Sequence, residues 1–382
     1  MSDSLSTMEK GAEPVSGTEL SNLSEDAIVS IILKLDLQSV LMLTRATTKL
    51  KQAVENDLVW MERCKPWEDL VNLNSWRAQM DSWKALYRLL HSLNKLVGAW
   101  VHRGSNLCGE LIYVTWGISA LEGWRVVPGA EDTYQDIRFV KAFNVVGKPD
   151  GSHKVDLVDK ESLSNSHLST HIVLPSLESP NRFVLERHDL PGEQIMAQDG
   201  SKIQLATGGP AGEAVKETQV WQKRYQRLEI EEPSPEQELT GLWTGLYGPH
   251  GWEILNVSYT EDDVIVGTKV IGDPNVPSGE ISFTGNMGRM AIDFPHLVRP
   301  ANRDRPQPVA KACRGHGRIA DDNFVNPQWV DGLLVVEPSG YFYFIWAEMN
   351  FNIRFHRLDL DASFKVAGVL DVIAEDCRVL RS

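Results

Sequence analysis

A chain of 382 residues is long enough for about two domains, and 42% hydrophobic with 24% charged residues is the composition of a globular protein, not of a disordered or fibrous one. Thirty-eight Lys and Arg against 52 Asp and Glu leave a net charge of −14, a field that repels phosphate backbones and anionic membrane surfaces, so neither nucleic acid nor membrane is expected as a partner. No apolar run approaches the ~18 residues of a spanning helix, and four widely spaced cysteines without a CxxC pair fit a reducing compartment, with a cytoplasmic or nuclear location expected.

Residues 1–20 are rich in Ser, Glu, Gly and Thr and predict a disordered arm. This start has neither the apolar core of a signal peptide nor the Arg-rich, acid-poor texture of a transit peptide. The pattern changes at Leu23. Ser24 is placed to cap a helix, with Glu25 and Asp26 in its first turn, and Ile28, Ile31, Ile32 and Leu35 follow on one helical face. A second periodic stretch carries Val40, Leu41, Leu43 and Leu50, and a third Val54, Leu58 and Trp60. These short segments predict a compact all-α unit over 21–62. A helical linker over 63–97 follows, in which Trp76 to Leu96 reads as one stretch.

From Gly98 the texture is β. Glu110 to Trp124 is dense in β-branched and aromatic residues, and strands are predicted over 137–146, 154–158, 171–174, 183–187, 202–206 and 217–228. Residues 229–238, with Pro233 and Pro235, read as a linker. Further strands are predicted at 241–246, 252–259, 263–271, 280–284 and 290–294. A proline-rich loop over 295–310 precedes a hairpin, 332–336 with 341–348, turning at Glu337-Pro-Ser-Gly340; a strand over 352–358 ends the series. Strands every 8–12 residues point to a barrel or sandwich. The fold class is therefore α+β: an N-terminal all-α unit, then an antiparallel β-barrel-like domain over 98–360, then a tail over 361–382. Val97-Gly-Ala-Trp100 and Thr240-Gly-Leu-Trp243 are weakly alike, and each is suited to open a β half.

Catalytic signatures are scarce. Gly315-His-Gly-Arg-Ile-Ala320 fits G-x-G-x-x-A, but Pro306 and Pro308 stand where a strand is needed and Asp321, Asp322 and Pro327 where a helix is needed, so it reads as a glycine-rich loop or bulge. No nucleophile elbow, phosphate-binding lysine loop, HExxH or calcium loop occurs. Asp262 and Asp263 sit together at a turn. His153, His167 and His171 are the one candidate metal group, yet no cysteine lies near them, and no cofactor is expected. The protein is read as non-catalytic.

The α unit resembles an F-box through Leu23 to Leu35, Asp36 to Leu43, Lys49-Leu50 and Asp57-Leu-Val-Trp60, departing from it at Ser24 and at Thr44-Arg-Ala-Thr47. The resemblance implies docking onto a Skp-family adaptor, and through it to cullin and RING subunits, by Leu23, Ile28, Ile31, Ile32, Leu35, Leu41, Leu43, Leu50 and Trp60. The second half is similar to the family of F-box only protein thirty-one and its plant relatives, through Gly241 to Leu255, Gly267 to Gly279, Gly109 to Ile112 and Gly123-Trp124. That family implies a substrate receptor of a Skp–cullin–F-box (SCF) ubiquitin ligase, with a β-barrel-like domain that captures C-terminal ends of substrates. D-type cyclin tails and C-terminally amidated chains are among the implied substrates. It also implies a zinc site in the middle region, where residues 147–220 of this chain contain no cysteine.

Gly272-Asp273-Pro274-Asn275 is a turn leaving the strand that carries Thr268 and Lys269. With Tyr247-Gly-Pro-His250 it forms the candidate substrate-binding group: Tyr247, His250, Thr268, Lys269, Gly272, Asp273, Pro274 and Asn275. Asp273 suits a terminal amide and Lys269 a terminal carboxylate, which leaves the end group open. Trp252 and Trp346 read as core. The alternative is a lipocalin-like carrier of a small apolar ligand.

Overall fold

The computed structural model describes residues 23–104, 107–129, 137–158, 169–176, 178–188, 220–290, 309–349 and 351–367. The expected arm over 1–20, the predicted strand over 202–206, most of the proline-rich loop, His167, Cys377 and the end of the tail lie outside the described residues. The chain divides into two units, residues 1–90 with 148–152, and residues 91–147 with 153–382.

The first unit is helical. Helices α1 (Glu25–Ile32), α2 (Leu37–Leu43), α3 (Thr48–Val54) and α4 (Asp57–Cys64) each start at a side-chain cap: Ser24, Asp36, Thr47 and Asn56 accept backbone N–H groups of the first turn. Arg63 of α4 donates to the carbonyl of Leu35 at 2.6 Å, and the Trp60 indole donates to that of Val54 at 2.6 Å. The stretch read as one helix from Trp76 is split into α5 (Leu73–Arg77) and α6 (Trp83–Leu93). Arg77 bonds the Met80 carbonyl, the Asp81 N–H bonds the Pro149 carbonyl at 2.8 Å, and Ser82 caps α6. Side-chain and loop acceptors thus replace the helical ladder across the break.

The second unit holds two closed antiparallel barrels of eight strands, where the sequence led us to expect one barrel-like domain. The first comprises β1 (Gly98–His102), β2 (Glu110–Trp116), β3 (Leu121–Val127), β4 (Arg138–Gly147), β5 (His153–Leu157), β6 (Ser169–Val173), β7 (Arg182–His188) and β8 (Val220–Arg227). The second comprises β9 (Gly241–Leu246), β10 (Trp252–Tyr259), β11 (Val264–Ile271), β12 (Ile281–Met290), β13 (Lys311–Asp321), β14 (Val325–Val336), β15 (Phe342–Trp346) and β16 (Phe351–Arg357). In each, neighbours in sequence are neighbours in the sheet, and the last strand pairs with the first.

The two barrels follow one plan. Gly98 and Gly241 open them at φ +120° and +118°. The Trp100 indole donates to the Leu96 carbonyl at 2.6 Å and the Trp243 indole to that of Leu239 at 2.7 Å. Arg227 lies 4.2 Å from the Trp100 ring and Arg357 4.4 Å from the Trp243 ring, each also donating to carbonyls just before the opening glycine. Gly123 on β3 makes room for the Phe143 ring, and Gly267 on β11 for Phe283; a built Cβ would stand 2.2 and 2.4 Å from those rings. Trp100, Phe143 and Phe183 fill the first interior, and Trp243, Phe283, Phe342, Phe344 and Phe355 the second, the filling expected of an eight-stranded barrel.

Two expectations change here. The glycine-rich segment 315–320 is strand, not loop: both glycines sit within β13, because a Cβ on Gly315 would meet the Thr284 carbonyl oxygen at 1.8 Å and one on Gly317 the Trp346 indole at 2.1 Å. Part of the tail beyond 360 is also structured. A helix over 360–367, α7, sets Phe364 against Tyr113, Trp124 and Phe139 of the first barrel, and the Tyr113 hydroxyl donates to Asp361. The barrels share an apolar cluster that includes Val101, Leu111, Leu242, Ile254, Val270 and Leu360.

Gly123→Ala and Gly267→Ala force a methyl into an aromatic ring, so each is expected to destabilise the protein by about 1–3 kcal/mol. A lowered urea midpoint with unchanged slope checks this.

Candidate functional site

The odd-numbered strands of the second barrel run toward one end, and the loops there form a mouth. β9 leads into Tyr247 and a turn over Gly248–His250; β11 leads into the segment 272–280; β13 and β15 end nearby. A cavity of about 310 Å³ opens between them. Five of the eight sequence candidates line it: Tyr247, His250, Lys269, Asp273 and Asn275. Thr268, Gly272 and Pro274 do not. Strand alternation turns Thr268 away from Lys269. Gly272 is buried where a Cβ would meet the backbone of 276–278 at 2.6 Å, and its N–H bonds the Cys108 carbonyl at 2.9 Å. Pro274 is exposed, and its carbonyl accepts the Phe324 N–H at 2.9 Å.

The floor is a buried charge cluster. Lys269, 1% exposed, places Nζ 2.7 Å from Asp273 Oδ2 and 2.6 Å from Glu253 Oε2, and 4.1 Å from the centroid of the Tyr247 ring. Two carboxyl groups and a ring face therefore engage the ammonium, leaving it no direction for a ligand carboxylate. Asp273 Oδ1 accepts the N–H groups of Asn275 and Val276, both at 2.7 Å, which is the turn chemistry expected of Gly-Asp-Pro-Asn. Asn275 in turn donates to the Ala320 carbonyl at 3.0 Å, and the Tyr247 hydroxyl pairs with Ser282 at 2.9 Å.

One lysine cannot balance two buried carboxylates. Burial, together with the neighbouring Asp273, pushes Glu253 up to about 9 despite the pull of Lys269. Burial also works to raise Asp273, but the bond from Glu253, the Lys269 charge and the Val276 N–H outweigh it and hold the carboxyl at about 2. At neutral pH Asp273 is therefore ionised and Glu253 protonated. Burial likewise keeps the Tyr247 hydroxyl well above its ordinary range.

Sequence reasoning missed Glu253, Ser282 and Arg318, as well as the apolar wall of Ile319, Met349 and Phe351. Glu253 left a signal: it is an acidic residue at an inward position of the otherwise apolar run Ile254, Leu255 and Val257. Trp346, read as core, is buried and also lines the cavity; Trp252 is half-buried and packs on His356.

The adaptor candidates divide by burial. Ile28, Ile32, Leu50 and Trp60 are packed inside the helical unit, so their side chains present no surface. Leu23, Leu35 and Leu43 are half-buried, while Ile31 and Leu41 are exposed beside Leu33, Met42 and Leu58, which the sequence reading did not select. Among the described residues no group of three or more His, Cys, Asp or Glu side chains is arranged to hold a metal ion. His153 starts β5 and His171 lies on β6, while His167, the third candidate, lies outside the described residues.

A family model described as the Cyclin D1 binding domain matches residues 225–362, which takes in all of the second barrel. F-box only protein 31 of Homo sapiens is 23% identical over 301 residues, 74% of this chain and 55% of that protein. F-box only protein 31-B of Xenopus laevis is 25% identical over 318 residues, 76% of this chain and 58% of that protein. Protein EXECUTER 2, chloroplastic, of Arabidopsis thaliana is 31% identical over 157 residues, 33% of this chain and 24% of that protein. The chain thus spans a quarter of the EXECUTER 2 length and little more than half of the human F-box protein. The matches support a distant kinship with F-box proteins.

The charge state of Glu253 is testable. Its folded value lies above the usual carboxylate range, so the unfolded chain releases a proton first, and stability declines as pH rises from about 4.5 to about 9. Glu253→Gln is expected to flatten that decline, whose limiting slope is about 1.4 kcal/mol per pH unit. Urea titrations at pH 5, 7 and 9 read the difference.

Proposed function

We propose that this chain is a substrate-recognition subunit of an SCF-type ubiquitin ligase, acting in the cytoplasm or nucleus without a catalytic step of its own. In this reading the α1–α4 unit docks on a Skp-family adaptor, and the mouth of the second barrel captures the C-terminal end of protein substrates for ubiquitination and proteasomal degradation. One observation carries the capture reading: a cavity with apolar walls holds an ionised, buried Asp273 on its floor, while the nearby ammonium is already engaged. A chain end offers few side chains, so a polar anchor inside an apolar pocket is the recognition it permits.

The same geometry favours one end group. A terminal amide brings N–H dipoles and no charge toward Asp273, whose oxygens already serve Lys269 and its own turn, whereas a free carboxylate meets that negative charge with Lys269 enclosed. C-terminally amidated chains are therefore the first candidates, ahead of D-type cyclin tails bearing a free carboxylate. The match to a cyclin D1 binding domain keeps cyclin tails within the test. For the adaptor, exposed Ile31, Leu33, Leu41, Met42 and Leu58 supply an apolar surface on short helices.

The up-and-down layout of both barrels favours a second reading, a small-ligand carrier. Aromatic side chains occupy both interiors, which confines any ligand to the mouth.

The deciding experiment measures binding of matched peptides ending in an amide or a free carboxylate to the full chain. The amide is expected to bind tighter, and Asp273→Asn to weaken it about tenfold with the fold retained by circular dichroism. Equal affinity for both ends in the wild type and the variant would sink the capture reading. For docking, Ile31→Asp combined with Leu41→Asp is expected to abolish co-purification with the Skp adaptor while the barrels stay folded; an intact complex would remove the F-box assignment.

A further inference from the structure

Resting on the capture reading, we propose that Arg318 forms a second subsite in the same mouth, one that selects substrates with an acidic side chain one or two residues before the captured end. Arg318 lies on β13 and lines the cavity. Its guanidinium is fixed in direction, 4.3 Å from the centroid of the Trp329 ring and 5.6 Å from that of Phe324. A planar guanidinium braced on aromatic faces offers its donors as a preset fork, the geometry that matches a carboxylate.

The fork is incompletely used. Nη1 reaches Glu280 at 3.3 Å, long for a charge-assisted bond, and the Glu280 side chain is 41% exposed. Such a half-solvated pair holds weakly and exchanges readily for a better-aligned acceptor. Nε, buried in the wall, has no acceptor among the described residues, and the side chain as a whole is 17% exposed.

Placement sets the reach. The Ala320 carbonyl, two residues along β13 from Arg318, accepts from Asn275, itself two residues from Asp273. The Phe324 N–H ties the β13–β14 connection to the same segment through Pro274. Phe324 holds φ +58°, rare for an aromatic residue, between Asn323 at +63° and Asn326 at +50°. That conformation sets its ring beside Arg318. Asp273, Asn275, Ala320 and Arg318 all line one cavity, so an end group at Asp273 leaves the side chains one or two positions upstream within the mouth that Arg318 lines.

Charge supplies the selectivity. The whole chain carries −14 and repels acidic peptides at long range. The floor cluster has one lysine for two acids and offers an acidic side chain no cation. Among the described residues that line the cavity, Arg318 brings a guanidinium able to offset the cost of bringing one in.

The test uses the full chain and N-terminally labelled, C-terminally amidated peptides that differ in Gln or Glu at one of the two positions before the end. Wild type is expected to bind the better-placed Glu peptide about fivefold tighter than its Gln partner at low salt, with the gap closing at high salt. Arg318→Gln should remove the gap and keep the affinity for the Gln peptide; Arg318→Lys should retain part of it. No gap in the wild type, a gap that survives Arg318→Gln, or loss of the Gln peptide in Arg318→Gln each overturn the subsite. The two readings fail separately. Binding of the Gln peptide, and its loss in Asp273→Asn, tests the capture pocket, and failure there removes both; the Glu-over-Gln gap tests Arg318 alone.

Discussion

Everything in the β part depends on closing a sheet whose first and last strands are far apart in sequence. An open edge of eight strands would expose a row of unpaired N–H and C=O groups. Both barrels solve this with the same clasp. A glycine at positive φ turns the chain inward, and a tryptophan two residues later plugs the base and donates to a carbonyl of the preceding turn. An arginine from the last strand then lies on that ring and binds carbonyls of the same turn. The clasp serves the closing strand pair, the bottom of the core and the otherwise orphaned carbonyls together. The clasp occupies the base of the barrel, where β9 starts and β16 ends, so the opposite end is free to carry long connections. The cavity is at that opposite end.

At the mouth the controlling constraint is electrostatic. Taking an ammonium out of water is costly, and Lys269 is as buried as any core aromatic. Asp273 repays part of that cost and is itself held by two backbone N–H groups of its own turn. The pairing therefore locks the 272–276 segment to β11, and Asn275 and Pro274 lock it to β13 and its connection. The first barrel contributes from outside: the carbonyls of Leu107 and Cys108 accept the N–H groups of Ser278 and Gly272. The apolar cluster between the barrels and α7 fix the hairpin that supplies them. A rigid anchor is what a pocket for a flexible chain end requires, because the ligand already bears the ordering entropy.

Local signals were legible and non-local ones were not. The Ser24 cap of α1, the span of β10 and the turn at Gly272-Asp273-Pro274-Asn275 follow from residues close in sequence. So does the gathering of five candidate residues at one mouth, since they belong to two adjacent loops. What escaped needed distant partners. Closure into two barrels depends on β1 meeting β8 and β9 meeting β16, although the Gly-x-Trp at each start hinted at two β halves. Gly315 and Gly317 read as a loop because their reasons, the Thr284 carbonyl and the Trp346 indole, lie on other strands. Four of the nine adaptor candidates are covered by the helical unit itself, because helical periodicity marks an apolar face without saying whether chain or partner covers it.

The common plan of the barrels shows why one of them carries the pocket. Register aligns Glu110 with Glu253 and Arg125 with Lys269: Glu110 faces His102 and Glu253 faces Gly245, while Arg125 faces Ile112 and Lys269 faces Leu255. Both barrels thus place an acid and a base at the same point. Four residues back from the clasp arginine, beyond Tyr225 and Phe355, the inward group is Lys223 in the first barrel and Ile353 in the second. Lys223 reaches Glu110 at 2.8 Å and Arg125 reaches it at 3.2 Å. Burial tends to raise the Glu110 carboxyl, but these two cations prevail and hold it below its usual range. In the second barrel Ile353 supplies no charge, and the balancing group comes instead from the β11–β12 connection as an acid, Asp273. Glu253 then takes up a proton, and the anion moves out of the wall onto a loop at the mouth. The same scaffold closes its charge within the wall in one copy and sets a carboxylate on the lining of a cavity in the other.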